Sequence, residues 1–198
     1  MKNVDIKIVI LGSLSVGKTC IVHRICSGEF MDTTLPTVGA SFYPYPITVN
    51  DVKLNIMIWD TSGEERFHTV IPTLLRGSSG VIFVYDITRI DSFQELNFYL
   101  NKFKEIIDIE SSTGDLPAVL LGNKSDLGIN AVPEDDVQRW LNENHITLHH
   151  IVSAFTGDGI ECAIQQLVDK IVYEQNLPKR MSGLKPLDPL ENQRKSCC

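Results

Sequence analysis

Residues 4–11, VDIKIVIL, form a compact run rich in β-branched side chains that stops at Gly12. Such a run suits a central strand buried on both faces, and a helix is expected from about Lys18. Two further β-like runs, residues 42–49 and 52–59, flank the turn signal Asn50-Asp51 and predict an antiparallel hairpin. Beyond it, strands expected at 80–85, 118–121 and 146–152 alternate with helices over 91–107, 133–142 and 159–174. Asp91 offers an N-cap and Pro133 a first helical position. This alternation predicts a mostly parallel sheet, with one antiparallel strand, right-handed crossovers and helices on both faces.

Phe93, Leu96, Leu100, Phe103 and Ile107 recur at helical spacing and read as a core stripe. After residue 176 periodicity disappears among three prolines, which divides the chain into a domain, residues 1–176, and a flexible tail, residues 177–198.

Composition narrows the picture. A chain of 198 residues, 43% hydrophobic and 22% charged, fills one core and is short for two. A net charge of −7 argues against nucleic acid as a partner. Cys20, Cys26 and Cys162 are scattered and Cys197-Cys198 end the chain, so no secreted disulfide framework is read and a cytosolic setting is expected. The longest apolar run, VIFVY at 81–85, is too short to span a bilayer.

The chemistry begins at GSLSVGKT, residues 12–19, which fits G-x-x-x-x-G-K-[ST] between a strand and a helix. The amides of Ser15, Val16, Gly17, Lys18, Thr19 and Cys20 can turn inward onto phosphate oxygens, where the helix dipole assists. Lys18 is expected at the β and γ phosphates and the Thr19 hydroxyl on Mg²⁺. NKSD, residues 123–126, follows a strand at its carboxyl end, the usual ligand side of an open α/β sheet. The Asp126 carboxylate only accepts hydrogen bonds; guanine offers it N1–H and a 2-amino group, and adenine neither, which disfavours an ATP-dependent kinase.

With the phosphate loop, WDTSGEERF at 59–67 and NKSD in this order, the chain resembles the Ras superfamily of small GTPases, a P-loop NTPase fold. LPTVGASF, LLRGSSG, VYDIT, DSFQEL, SAFTG and the terminal Cys-Cys make it more closely similar to the Rab family. The resemblance implies a Mg²⁺ site of Thr19 and Thr37, with Asp60 acting through a metal-bound water. It further implies that Thr37 and the Gly63 amide contact the γ-phosphate in two switch segments and release when it leaves. Phe30 is expected against the base, Asn123 and Asp126 reading guanine, Lys124 packing on the nucleotide, and Ser153 and Ala154 supporting the base. Lys18, Gly63 and Glu64 are the catalytic candidates.

Three positions depart from the family pattern. Phe155 stands where a lysine is usual and is expected to stack near the base, the alternative being a ring turned into the core. Leu14 and Ser15 replace smaller residues beside the γ-phosphate, and Leu14 adds bulk where an arginine finger would enter. Glu64 replaces the usual glutamine: ionised, it only accepts, and at about 4 Å and an effective dielectric of about 20 it would repel each phosphate charge by roughly 4 kcal/mol. It would swing out, take a proton or act as a weak base, so slow intrinsic hydrolysis is expected; the alternative is a GTP-locked scaffold. The resemblance also implies activators that supply an arginine and a glutamine in trans.

In a Rab-like chain Cys197 and Cys198 look like a double prenylation site, which would anchor the protein on the cytoplasmic face of an endomembrane. The resemblance thus implies a GTP/GDP switch in vesicle trafficking with a monomeric G domain, an exchange factor, an activating protein, effectors and a prenyl-dependent escort. The effector surface is expected to include Val38, Gly39, Phe42, Trp59, Phe67, Leu74 and Leu75.

Overall fold

The computed structural model describes residues 4–32, 37, 39–49, 52–63, 71–110 and 117–174. The elements run β1 (Val4–Leu11), α1 (Lys18–Ser27), β2 (Ala40–Val49), β3 (Val52–Thr61), α2 (Ile71–Leu75) and β4 (Gly80–Asp86). They continue as α3 (Ile90–Gln94), α4 (Leu96–Glu110), β5 (Ala118–Asn123), α5 (Glu134–Glu143), β6 (Leu148–Ile151) and α6 (Ile160–Glu174). The sheet order is β2-β3-β1-β4-β5-β6, with only β2 antiparallel to its neighbour. The expected hairpin is present as the β2–β3 pair; its connecting residues Asn50 and Asp51 lie outside the described residues.

Strand alternation explains the two cores. Ile6, Ile8 and Ile10 of β1 point to one face with Ile82 and Val84, where Ile21 of α1 and Leu167 and Ile171 of α6 cover them. Val9, Leu11, Val81, Phe83 and Tyr85 point to the other face and meet Leu96, Leu100 and Phe103 of α4 and Trp140 of α5. With helices on both faces, β4 is buried along its whole length, which is why it reads as a continuous apolar run.

Several boundaries differ from the expectation. The helix expected over 91–107 is two helices separated at Glu95. Asp91 is not an N-cap: Arg89 holds that place without a side-chain bond, and Asp91 sits in the first turn, where its charge still faces the helix dipole. Pro133 is the N-cap of α5 rather than its first residue, since its ψ of 134° is extended while its φ of −62° suits either place. β6 is shorter than expected because Ile146 N donates back to Leu141 O, which ties residue 146 to the end of α5 instead of the sheet. Of the core stripe, Phe93, Leu96, Leu100 and Phe103 are buried, while the Ile107 side chain and the tail lie outside the described residues. No helix among the described residues is long and apolar enough to cross a membrane.

Candidate functional site

The carboxyl ends of β1, β3 and β5 bring the predicted residues to one edge of the sheet. After β1 the chain winds through Ser15, at φ 63°, and Gly17, at φ 96°, before α1 begins. Gly17 is the N-cap and supplies no side-chain bond, which leaves the first amides of α1 directed at whatever lies beyond. A Cβ at Gly17 would fall 2.3 Å from Asn123 Nδ2, so only glycine fits this turn.

Lys18 folds back over the loop. Its Nζ donates to Gly12 O and Ser13 O, each at 2.8 Å. Burial lowers its pKa from 10.5 to about 8, against the opposing pull of Asp60.

Beside it, Thr19 Oγ1 donates to Asp60 Oδ2 at 2.7 Å and lies 3.0 Å from Thr37 Oγ1, which itself reaches Asp60 Oδ2 at 3.4 Å. Among the described residues Asp60 Oδ1 is buried without a hydrogen-bond partner, and burial raises the carboxyl pKa despite the bond from Thr19, the Lys18 charge and the bond from Thr37. Two hydroxyls and a carboxylate with an unmatched oxygen make an all-oxygen set that fits a hard divalent cation such as Mg²⁺.

Gly63 presses onto the phosphate loop. A Cβ there would lie 2.5 Å from Leu14 N and Ser13 C and 2.6 Å from Lys18 Nζ. Ser62 N donates to Gly39 O at 2.9 Å, joining the segments on either side of the β2–β3 hairpin. Leu14 is exposed at this mouth. Glu64, Val38 and Phe67 lie outside the described residues.

A cleft of about 300 Å³ opens between the phosphate loop and the loops after β5 and β6, lined by Phe30, Asn123, Lys124, Asp126, Ala154, Phe155 and residues of the phosphate loop, including Cys20. Asn123 is its keystone: Nδ2 donates to Val16 O at 2.8 Å and Oδ1 accepts from Ala154 N at 3.0 Å. Ser153 Oγ donates to Asp126 Oδ1 at 2.6 Å and accepts from Thr156 N. The Phe155 ring is exposed rather than turned into the core and meets Phe30 edge to face at 5.2 Å.

Asp86, Glu95 and Arg24, which the sequence did not single out, tie down the residues around this site. Lys124, at φ 75°, pairs with Asp86 Oδ2 at 2.7 Å. Burial pushes Asp86 up, but its bonds from Lys124 and Thr88 prevail and hold the carboxyl below its ordinary range. VYDIT carried that aspartate as part of the resemblance, yet spacing assigns it no partner. Ser13 Oγ donates to Glu95 Oε2 at the break between α3 and α4. Arg24 bonds the carbonyls of Ala154 and Phe155, and no motif marks it.

On the outer face Phe42 is exposed and lies 5.6 Å from the Trp59 ring, over which Lys7 Nζ sits at 4.6 Å. Trp59 also packs against the core, so it serves both surfaces. Leu75 does not belong to an exposed patch: at 1% exposure it is core beneath α2, while Leu74 is half-buried.

The Ras family model matches residues 7–173. The chain is 34% identical over 200 residues to the Ras-related protein Rab-7b of Homo sapiens, covering 100% of this chain and 98% of that protein. It is 36% identical over 172 residues to Rab-18 of Lymnaea stagnalis, covering 87% and 83%, and 34% over 171 residues to Rab-32D of Dictyostelium discoideum, covering 86% and 75%. Ras and Rab proteins are GTPases that bind GTP and GDP, typically with Mg²⁺, and work through regulators and effectors. With a P-loop NTPase fold and these relatives, the chain belongs to the Rab family of Ras-superfamily small GTPases.

Proposed function

We propose that the protein is a GTP/GDP switch in vesicle trafficking that hydrolyses GTP slowly on its own and recruits effectors in its GTP state. The observation that carries this reading is the convergence of Thr19, Thr37 and Asp60 beside Lys18, since it couples the segment of residue 37 to the phosphate loop. Thr19 and Thr37 would hold Mg²⁺, with Asp60 acting through a bound water, and the ion would neutralise charge on the β and γ phosphates. Lys18, released from the carbonyls of Gly12 and Ser13, would turn to the same oxygens. Gly63, already against the loop, would offer its amide to the γ-phosphate.

On the base side, the second Nδ2 hydrogen of Asn123 remains for an acceptor, and Asp126 Oδ2 for the guanine N1–H and 2-amino group. Phe30 and Phe155 would cover the ring, with Lys124 on the nucleotide and Ser153 and Ala154 supporting the loop. Phe42, Gly39 and Trp59 form the described part of the effector surface, which Val38 and Phe67 would extend. Cys197 and Cys198 would carry prenyl groups, bound by an escort protein in the cytosol and inserted into an endomembrane at the effector's site of action. An exchange factor and an activating protein would drive the cycle.

Hydrolysis is slow in this reading because Glu64 cannot donate to the γ-phosphate while accepting from water. The exposure of Leu14 at the mouth favours a second reading, a GTP-locked scaffold with negligible turnover. Single-turnover GTP hydrolysis by the Mg²⁺-loaded protein, with and without a Rab-type activator and beside Glu64→Gln, separates them. Slow turnover that the activator accelerates supports the switch. Turnover absent in both wild-type conditions and restored by Glu64→Gln establishes the locked scaffold.

A further inference from the structure

α1 opens at the phosphate loop, yet it also reaches the opposite end of the cleft. From its last turn, Arg24 Nε donates to Ala154 O at 3.1 Å, Nη2 donates to Phe155 O, and Nη1 donates to Gly28 O at 2.6 Å. One planar fork therefore joins the C-terminal cap of α1 to a loop 130 residues away in sequence. The Ala154 residue is gripped at both of its backbone groups, its N–H by Asn123 Oδ1 and its carbonyl by Arg24. Gly157 faces the Arg24 stem, where an added Cβ would make ordinary contact at 3.6 Å from Cδ, and Gly157 N donates back to Ser153 O at 2.8 Å.

We propose that Arg24 is the positioning residue for guanine recognition: by fixing the carbonyls of Ala154 and Phe155 it sets the height of the loop over the base, and so the residence time of the nucleotide. This rests on the reading of the cleft as a guanine site. Ser153, next to the tethered carbonyls, holds Asp126 Oδ1, so a loop that drifts carries away the support of the carboxylate that meets the guanine 2-amino group. Arginine suits the task because its donors lie in one fixed plane and reach separate carbonyls together; a lysine ammonium on the same stem presents a single point.

Arg24 also forms one wall of a second cleft, of about 470 Å³, floored by Ile25, Ile160 and Ile164 and rimmed by Asp158 and Glu161. The tether is thus accessible from the side away from the base, and the guanine loop answers to the position of α1 as well as to the nucleotide.

The test uses the full chain loaded with ribose-labelled GDP or with the corresponding inosine diphosphate, which lacks the 2-amino group. Dissociation rates are measured for wild type, Arg24→Ala and Arg24→Lys, with amide hydrogen exchange over residues 153–157. Arg24→Ala is expected to release GDP about tenfold faster, the loss of charged hydrogen bonds. It is expected to speed inosine diphosphate release less, so that the preference for guanine narrows, with exchange rising over 153–157 and not over the phosphate loop. Arg24→Lys is expected to fall between, and it carries the test if the alanine variant does not fold. GDP release unchanged in both variants, or release accelerated equally for the two nucleotides, overturns the proposal. A wild type that binds neither nucleotide removes the guanine reading beneath it.

Discussion

The hydroxyls of Thr19 and Thr37 lie 3.0 Å apart and converge on one oxygen of Asp60, although the three residues come from a helix start, a loop and a strand end. No single element could build this triangle. It exists because β1 and β3 are neighbours in parallel register, which sets Asp60 opposite Ile10 at the threshold of the phosphate loop.

If this oxygen set holds the ion, then Mg²⁺ removal should accelerate GDP release from the wild type. Thr19→Ala should raise the Mg²⁺ concentration needed to slow release by at least about tenfold. Release followed across a Mg²⁺ titration checks it; identical midpoints for the two proteins would remove Thr19 from the ligand set.

Gly63→Ala should separate the two nucleotide states. Its Cβ would collide with the backbone at Ser13 and Leu14, so the segment must withdraw from the loop. Affinity for a non-hydrolysable GTP analogue should fall by about 1–3 kcal/mol, as for other overpacked contacts, while GDP affinity stays within error. Calorimetry with both nucleotides reads the difference.

Phe155→Ala removes the ring that meets Phe30 at 5.2 Å. Aromatic pairs of this geometry contribute about 0.5–1.5 kcal/mol beyond their buried area, so GDP should leave about two- to tenfold faster. An unchanged rate would make the exposed ring a bystander.

His149 supplies a pH dependence of folding. Its ring stacks on Tyr85, and Nε2 lies 3.4 Å from the Tyr85 hydroxyl, a bond the neutral imidazole can accept. Burial lowers its pKa below 6.5, Glu134 pulls upward and His150 downward. The unfolded chain therefore takes up the proton first, so stability falls as pH drops from about 6.5 through the folded value and levels below it. Denaturant melts at pH 7 and 5 should show a smaller acid loss for His149→Gln than for wild type. Asp169, whose burial-raised carboxyl gives an opposite slope, is common to both proteins and cancels in that comparison.

The succession of strands and helices and the phosphate loop could be read from the sequence because their signals are local: apolar runs of strand length, a glycine pattern, an alternation of periods. What escaped depends on long-range neighbours. The break at Glu95 coincides with a bond to Ser13, which no helical periodicity encodes. Leu75 reads as a surface leucine near a switch until α4 is seen to cover it. Arg24 falls in an ordinary amphipathic position of α1, and two of its three carbonyl partners, those of Ala154 and Phe155, become visible only when the loop after β6 is placed beside it.

Asn123 has a consequence for how the protein is made. Because its amide fastens residue 16 to residue 154, the base side of the cleft cannot exist in a nascent chain until Ala154 has cleared the ribosome. The phosphate loop is synthesised before that loop and must wait, without its base contacts, until it emerges. Ligand capture is thus coupled to the synthesis of the loop after β6, and a chain truncated before it would keep the complete phosphate motif while lacking the base-side fastening.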